Sequence, residues 1–451
     1  MSLARQVSEF IQKTTFASLS PAVVHKAKNH IMDTLGVCIA SAGDPTLANI
    51  AKSFLEDIGS GSKCTVFGLG AKASISDAAL LNGLLTHGLD YDDSSWTLIG
   101  HPSAAVLPAA IAVGESVNCS GKDLITAYVI GVEVACKIGT SGEPYLYEAG
   151  WHATGVVGVL GAAAAAGKLL NLSTEQLVNA IGIAASLAGG LRRNFGTFTK
   201  PFHAGAACQN GVIAALLAKR GFDANEEALE GKYGFFENYT QKKAAGGFPN
   251  PGQPFDIDDP GFFVKPYPSC AATHTGIDAV LELRQAGIDP EKIQKIEAGC
   301  GPVGPIMLIY DQPSRGFEGK FCMKYLIAAA LVDGKVGLNT FTDEKIANPL
   351  IKKLMNLTTF EPTPEFADRP ISEAPTSIKI TLQDGTILAK TVEDPLGSPT
   401  NPMNQQLMTD KFKDATSNLL SAEKAAAAIT LLSKLEDVPA IQALINILKA
   451  E

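Results

Sequence analysis

Apolar residues recur along most of this chain at helical spacing. From Leu3 to Thr14 and from Pro21 to Ala42 they fall three and four apart, the stripe of an amphipathic helix. Pro21 after Ser20 suits a first helical position. Ser173-Thr174-Glu175-Gln176 has the form of a capping box before an apolar helix reaching about Gly189. Gly155 to Gly167 reads as a buried helix of small residues, and Gly211 to Lys219 as a helix stopped by Gly221. The pattern breaks over residues 244–269, where glycine, proline and aromatic residues crowd together as in a linker or loop. Beyond the break, Thr273 to Ala286 and Phe321 to Val332 read as helices, and Lys292 to Cys300 alternates like a strand. Ser377 to Thr391 alternates on both sides of Asp384-Gly385, a dipeptide favoured in tight hairpins. After a loop from Leu396 to Pro402 the chain is helical again and is expected to return to the first domain. The pattern predicts a mainly α protein with a smaller α+β domain. The large all-helical domain spans 1–264 and 396–451, and the α+β domain spans 265–395.

Composition sharpens this picture. At 451 residues the chain exceeds one typical core, which fits two domains. It is 46% hydrophobic and 18% charged, against roughly 25% charged in an average globular protein. The shortfall implies much buried helix or an oligomer interface. A net charge of −9 with no basic patch excludes nucleic acid as a partner. No apolar run reaches the roughly 20 residues of a membrane span, so no membrane association is expected. The N-terminus lacks a signal-peptide core. Eight cysteines form no CxxC or ligand-like spacing, which implies reduced, structural thiols in a cytoplasmic protein without zinc.

Titratable residues gather where the helical pattern is interrupted. Five of seven histidines lie in short Gly/Pro/Ser/Thr-rich stretches: His87 (THGLDYDD), His101 (GHPSA), His152 (GWHATG), His203 (TKPFHAG) and His274 (SCAATHTG). His25 and His30 lie in an ordinary amphipathic helix. Histidine titrates near neutral pH and is the usual proton carrier in catalysis. Asp90, Asp92 and Asp93 form an acidic loop that needs cations or hydrogen bonds, unless it is simply solvated or binds a metal. His101-Pro102-Ser103 reads as a helix start, where free N–H groups suit a carboxylate; a plain capping role is the alternative for His101. Arg192, Arg193, Lys200 and His203 give a cationic turn able to hold a di- or tricarboxylate, or one making routine salt bridges. Lys265 and His274 flank the domain junction. His152 and Tyr325, read alone, suit satisfied core residues. No Walker pattern, strand-led glycine loop or G-x-S-x-G elbow appears.

Taken in order, THGLDYDD, GHPSAAVLPAA, GWHATG, FGTFTKPFHAGAACQNG, KPYPSCAATH and GSPTNPM resemble the MmgE/PrpD superfamily over nearly the whole chain. That superfamily contains 2-methylcitrate dehydratase, cis-aconitate decarboxylase and iminodisuccinate epimerase. The resemblance implies a large helical domain built from both chain ends, an α+β lid domain, a homodimer, and a site between the domains with no cofactor and no metal. By position, Asp90, His101, His152, Lys200, Lys265 and Tyr325 match family site residues, while Ser94 replaces a threonine. The implied function is a lyase acting on a small di- or tricarboxylate through proton transfer at a carbon α to a carboxylate. His101 would be the acid or base, Asp90 would tune it, and Lys200, Lys265 and His152 would clamp carboxylates. Tyr325 would be a polar wall or second proton donor, with Asp93, Ser94, Arg192, His203 and His274 as further substrate contacts. The NFGTFTKPFHAG segment looks closer to epimerase-like members than to 2-methylcitrate dehydratases, so an epimerase of an amino- or imino-dicarboxylate is the alternative. A non-catalytic binding protein on the same fold is a lesser one.

Overall fold

The computed structural model describes residues 1–59, 61–244, 246–370 and 373–449. The expected linker includes Ala245, and the expected helical C-terminal segment ends in Ala450 and Glu451; these positions lie outside the described residues. The chain divides into two compact units, Met1–Val264 with Asn404–Glu451, and Lys265–Met403. The return to the first unit therefore falls at Asn404, a little beyond the Leu396 expected from the pattern.

The first unit is a layered assembly of helices. Ile75–His87, Pro102–Val117, Gly121–Gly142, Gly158–Leu169 and Thr199–Lys219 pack on one another at its centre. Small residues set their spacing. A Cβ on Gly131 would stand 2.4 Å from Val106 Cγ1 and 2.8 Å from the Gly161 carbonyl, and one on Gly161 would stand 2.5 Å from the Gly131 carbonyl. The helices Ile75–His87 and Thr199–Lys219 touch the same way, since a Cβ on Gly83 would lie 2.8 Å from Gly205 Cα. Capping follows the sequence: Ser20 accepts from Val23 N–H, and Ser173 and Gln176 close a capping box.

Three features depart from the sequence reading. Thr199–Lys219 is one helix, so Lys200 and His203 lie on its first turns and not on an irregular turn. Pro201 permits this because the first helical turn needs no N–H from it. A short antiparallel ribbon, Cys64–Val66 with Ala71–Ala73, interrupts the helical region. Gly121–Gly142 is long and apolar enough to cross a membrane by length and composition, contrary to the expectation that no such run exists. It is a mostly buried core helix packed against Pro102–Val117 and Gly158–Leu169.

The second unit carries a four-stranded sheet in the order Thr358–Pro362, Ile293–Cys300, Thr376–Leu382, Ile387–Val392. The first pair is parallel and the others antiparallel. Helices His274–Arg284, Met323–Asp333 and Pro349–Asn356 pack with it around Ile277, Ile296, Leu326, Ile378 and Ile380. The hairpin turns at Asp384-Gly385, with Gly385 at φ +87° and its N–H on the Leu382 carbonyl. Thr358–Pro362 escapes the pattern because it is an edge strand with only Thr358 buried and a terminal proline.

The Gly83–Gly205 contact generates a prediction. A Cβ on Gly205 would meet the Leu80 carbonyl at 2.4 Å and Leu84 N at 2.9 Å, backbone atoms that cannot turn aside. Overpacking costs about 1–3 kcal/mol, so Gly205→Val should lower the unfolding free energy by at least about 2 kcal/mol. Urea denaturation of both proteins checks this; equal midpoints would mean the two helices slide apart freely.

Candidate active site

The helix Ile75–His87 ends where Asn82 to Ser103 begins to carry titratable groups. After His87 the chain turns through Asp90 at φ +54°, a left-handed backbone that aspartate tolerates better than most residues. Asp90, Asp92 and Asp93 are all buried. Residues 95–100 fold back on themselves, with Ser95 N–H on the Gly100 carbonyl at 2.8 Å and Gly100 N–H on the Ser95 carbonyl at 3.2 Å. That loop returns His101 to the three aspartates and starts the helix Pro102–Val117. Thr154 Oγ1 accepts from His101 N–H at 3.0 Å and fixes the junction.

Each aspartate meets a different set of partners. Asp90 Oδ1 lies 3.1 Å from Lys200 Nζ and 3.7 Å from His101 Nε2. Asp92 lies between two imidazoles: its Oδ2 is 2.9 Å from His87 Nδ1 and 3.1 Å from His101 Nδ1. His101 Nδ1–H also donates to the Asp93 carbonyl at 2.9 Å. The Asp93 carboxylate turns the other way, onto His30 Nδ1 at 2.7 Å and the Ser103 hydroxyl at 2.5 Å, which in turn meets Tyr128 OH at 2.6 Å. Lys411, from the C-terminal segment, ties this loop down. Its ammonium sits 2.6 Å from buried Asp33, donates to the Tyr91 carbonyl at 3.0 Å and lies 4.0 Å from the Tyr91 ring centre.

A second layer of imidazoles covers the first. His152 stacks on His87 with ring centres 5.6 Å apart, and its Nδ1 lies 3.1 Å from His203 Nδ1, so one ring donates and the other accepts. Gly190, at φ +137°, leaves room for His203; a Cβ there would stand 3.1 Å from the ring. Phe195 lies edge-on to His152 and 5.4 Å from Lys200 Nζ. Burial, with Lys200 nearby, holds His152 well below the ordinary histidine range and pushes His203 down to about 4. Burial also pushes His87 down to about 3. Burial opposes charge on Asp92, yet His87 and His101 together hold its carboxyl well below the usual carboxylate range. His87 Nδ1 faces both oxygens of that carboxylate, at 3.1 and 2.9 Å.

His87, Asp90, Asp92 and His101 can each offer one donor atom within 4.8 Å of the others, a spacing able to hold a metal ion. Here those groups serve one another: the Lys200 ammonium occupies the cation position beside Asp90, and Asp92 takes Nδ1 of both histidines.

The structure thus brings Asp90, His101, His152, Lys200 and His203 together. The other expected residues have partners of their own or belong to the second unit. Asp93 spends its carboxylate on His30 and Ser103 inside the unit. Ser94 pairs through its backbone with Phe263. Arg192 lies flat over Tyr147, 3.4 Å from the ring centre, and donates to the Tyr147 carbonyl. Lys265, His274 and Tyr325 belong to the second unit. Lys265 is fully buried. His274 places Nδ1 3.1 Å from the Cys270 carbonyl and Nε2 3.2 Å from the Tyr267 carbonyl. Tyr325 is a core residue whose hydroxyl donates to the Thr340 carbonyl. Conversely, sequence reasoning did not single out Asp92, His87 or Phe195 as site residues, and it placed His30 in an ordinary helix. Asp92, His87 and Phe195 lie in the quoted segments, but no spacing rule says which of three neighbouring aspartates will face an imidazole, and His30 lies in the distant helix Pro21–Ala42.

Buried imidazoles, a carboxylate and an ammonium in contact are groups able to exchange protons and to attract an anion. The chain belongs to the MmgE/PrpD family: the family's N-terminal domain matches residues 5–246 and its C-terminal domain residues 267–437. It is 29% identical to cis-aconitate decarboxylase of Mus musculus over 450 residues, covering 96% of this chain and 90% of that protein. It is 25% identical to the cis-aconitate decarboxylase of Aspergillus terreus, covering 94% and 92%. It is 24% identical to 2-methylcitrate dehydratase of Cupriavidus necator, covering 82% and 81%.

The neutral histidines make stability pH-dependent. An unfolded histidine takes up a proton below about pH 6.5, whereas buried His203 does not until about pH 4. The unfolded state then binds more protons, so His203 withdraws up to about 1.4 kcal/mol of stability per pH unit below 6.5. Glu133, raised to about 7 by burial, acts in the opposite sense and is common to wild type and variant. His203→Asn should therefore gain on wild type by about that amount per unit between pH 6.5 and 5 in urea denaturation. Parallel pH slopes would show that His203 is not held neutral.

Proposed function

We propose that this protein is a lyase working without metal or organic cofactor on a small di- or tricarboxylate, by proton transfer at a carbon α to a carboxylate. One observation carries the reading: His101 Nε2 faces Asp90 Oδ1 at 3.7 Å, and that oxygen is 3.1 Å from the Lys200 ammonium. A proton-exchanging nitrogen thus stands beside a fixed cation in a water-poor setting, where electrostatic stabilisation of a developing anion is strongest. The names of the relatives, decarboxylases and dehydratases of such acids, support the same class.

In a decarboxylation the C–C bond breaks, CO₂ leaves, and the electron pair left on the α carbon accepts a proton from His101 Nε2, which takes one up from solvent as the anionic substrate binds and returns to the neutral imidazole on giving it. In a dehydration the same nitrogen removes the α proton and hydroxide departs with a proton from a second acid. Lys200 neutralises the carboxylate over which the negative charge spreads. His152 and His203 donate N–H groups to a bound anion, whose charge favours their protonated forms. An epimerase would share the first step and return a proton to the opposite face. The family resemblance also leads us to propose a cytoplasmic homodimer, whose mass in solution light scattering reads directly.

Three outcomes are expected. Proton NMR in D₂O with cis-aconitate, 2-methylcitrate, citrate and iminodisuccinate should show loss of CO₂ or water from one of them; deuterium exchange with an unchanged skeleton would instead make the protein an epimerase. A positioned acid–base group contributes about 10²–10⁴-fold, so His101→Ala should lose that much in kcat while keeping its circular dichroism. Because the Lys200 ammonium already balances Asp90, chelators should leave turnover unchanged. Activity lost on chelation and restored by a divalent ion would place a metal among His87, Asp90, Asp92 and His101.

A further inference from the structure

The site holds two fully buried groups that the acid–base step does not use. Asp92 is closed to solvent and lies between His87 and His101. His87 Nδ1 faces only the two Asp92 oxygens, at 3.1 and 2.9 Å, while its Nε2 is buried with no hydrogen-bond partner among the described residues. A neutral imidazole carries one proton, and the carboxylate accepts only, so that proton must sit on Nδ1. The same reasoning applies to His101. Its Nδ1 faces the Asp93 carbonyl at 2.9 Å and Asp92 Oδ2 at 3.1 Å, both acceptors. Nδ1–H is thus fixed, and Nε2 is the nitrogen left to exchange a proton beside Asp90 and Lys200.

On the proton-transfer reading of the site, we propose that Asp92 and His87 are its positioning pair: His87 donates to Asp92, and Asp92 fixes the tautomer and ring orientation of His101. The arrangement is a chain of three side chains, His87 Nδ1–H to Asp92 to His101 Nδ1–H. A carboxylate behind an imidazole holds its tautomer and stabilises the imidazolium that forms when Nε2 accepts a proton. Asp92 alone, buried and paired to a single ring, would be free to swing. The donation from His87 through both oxygens holds the carboxylate plane, and the His152 ring stacked on His87 holds His87 in turn. Other charged groups beside the pair are Asp90, whose Oδ1 lies 3.7 Å from His101 Nε2, and Lys200, whose ammonium lies 3.1 Å from the same oxygen.

The experiment has two arms on the full-length protein. Long-range ¹H–¹⁵N correlation spectra of histidine-labelled protein, assigned with His87→Gln and His101→Gln, read the tautomers directly. Both rings are expected as Nδ1–H in wild type at neutral pH, and Asp92→Asn, whose amide offers one acceptor oxygen, should convert at least one ring to Nε2–H. In turnover, Asp92→Asn should lower kcat about 10²–10⁴-fold with KM within about threefold. His87→Gln, which keeps an N–H donor, should retain at least tenfold more kcat than His87→Leu. An Nε2–H tautomer of His101 in wild type overturns the proposal, as does wild-type kcat in Asp92→Asn. The spectra need no substrate. Failure to turn over any carboxylate would therefore remove the lyase reading alone, and the tautomers would still decide the positioning role.

Discussion

Three carboxylates within four residues are buried in one loop, and everything around them is arranged to make that possible. Removing an ionised carboxylate from water costs several kcal/mol unless a cation or strong donors take over from the solvent. Asp90 takes an ammonium from the helix Thr199–Lys219, Asp92 takes two imidazoles, and Asp93 takes His30 from the helix Pro21–Ala42 with Ser103 from the helix Pro102–Val117. Four helices are thereby held in register by one short segment. The glycine contacts then let those helices come close enough for the side chains to meet, as Gly83 and Gly205 do.

The three aspartates form a graded series. Asp93 faces inward, 2.7 Å from His30 Nδ1 and bonded by the Ser103 hydroxyl that also meets Tyr128, and its carbonyl supports His101. Asp92 sits in the middle as the shared acceptor of two rings. Asp90, held at φ +54°, is the one placed against a primary amine. A left-handed residue at this point swings Asp90 away from its neighbours, and local strain of this kind gathers at functional sites. One sequence of like residues thus divides into an inward-facing anchor, an acceptor shared by two rings and a carboxylate beside an ammonium.

Helical periodicity made the architecture legible, down to the cap residues Ser20 and Ser173, because amphipathic stripes and capping chemistry are local properties. The hairpin at Asp384-Gly385 was legible for the same reason. Thr358–Pro362 was not, since an edge strand with one buried residue carries no alternation. At the site, the residue types and segments were readable: Asp90, His101, His152, Lys200 and His203 do meet. What the chain could not reveal was direction. Whether Asp92 or Asp93 faces His101, and whether Arg192 reaches a ligand or lies on Tyr147, depends on backbone turns and on distant partners such as His30. Tyr325 illustrates the same limit, since its hydroxyl is taken by Thr340, fifteen residues on.

The grip of Lys411 on Tyr91 spans 320 residues of chain. At roughly 5–20 residues per second, a ribosome needs about 16–64 s to cross that interval. For all of it, Asp33 and the aspartate loop exist without the ammonium that neutralises the one and tethers the other. The first helices can form as they emerge, but the contacts of Lys411 with Asp33 and Tyr91 form only after the second unit has been made and the chain has come back. Nascent copies of the protein therefore carry Asp33 without its cation for most of their synthesis.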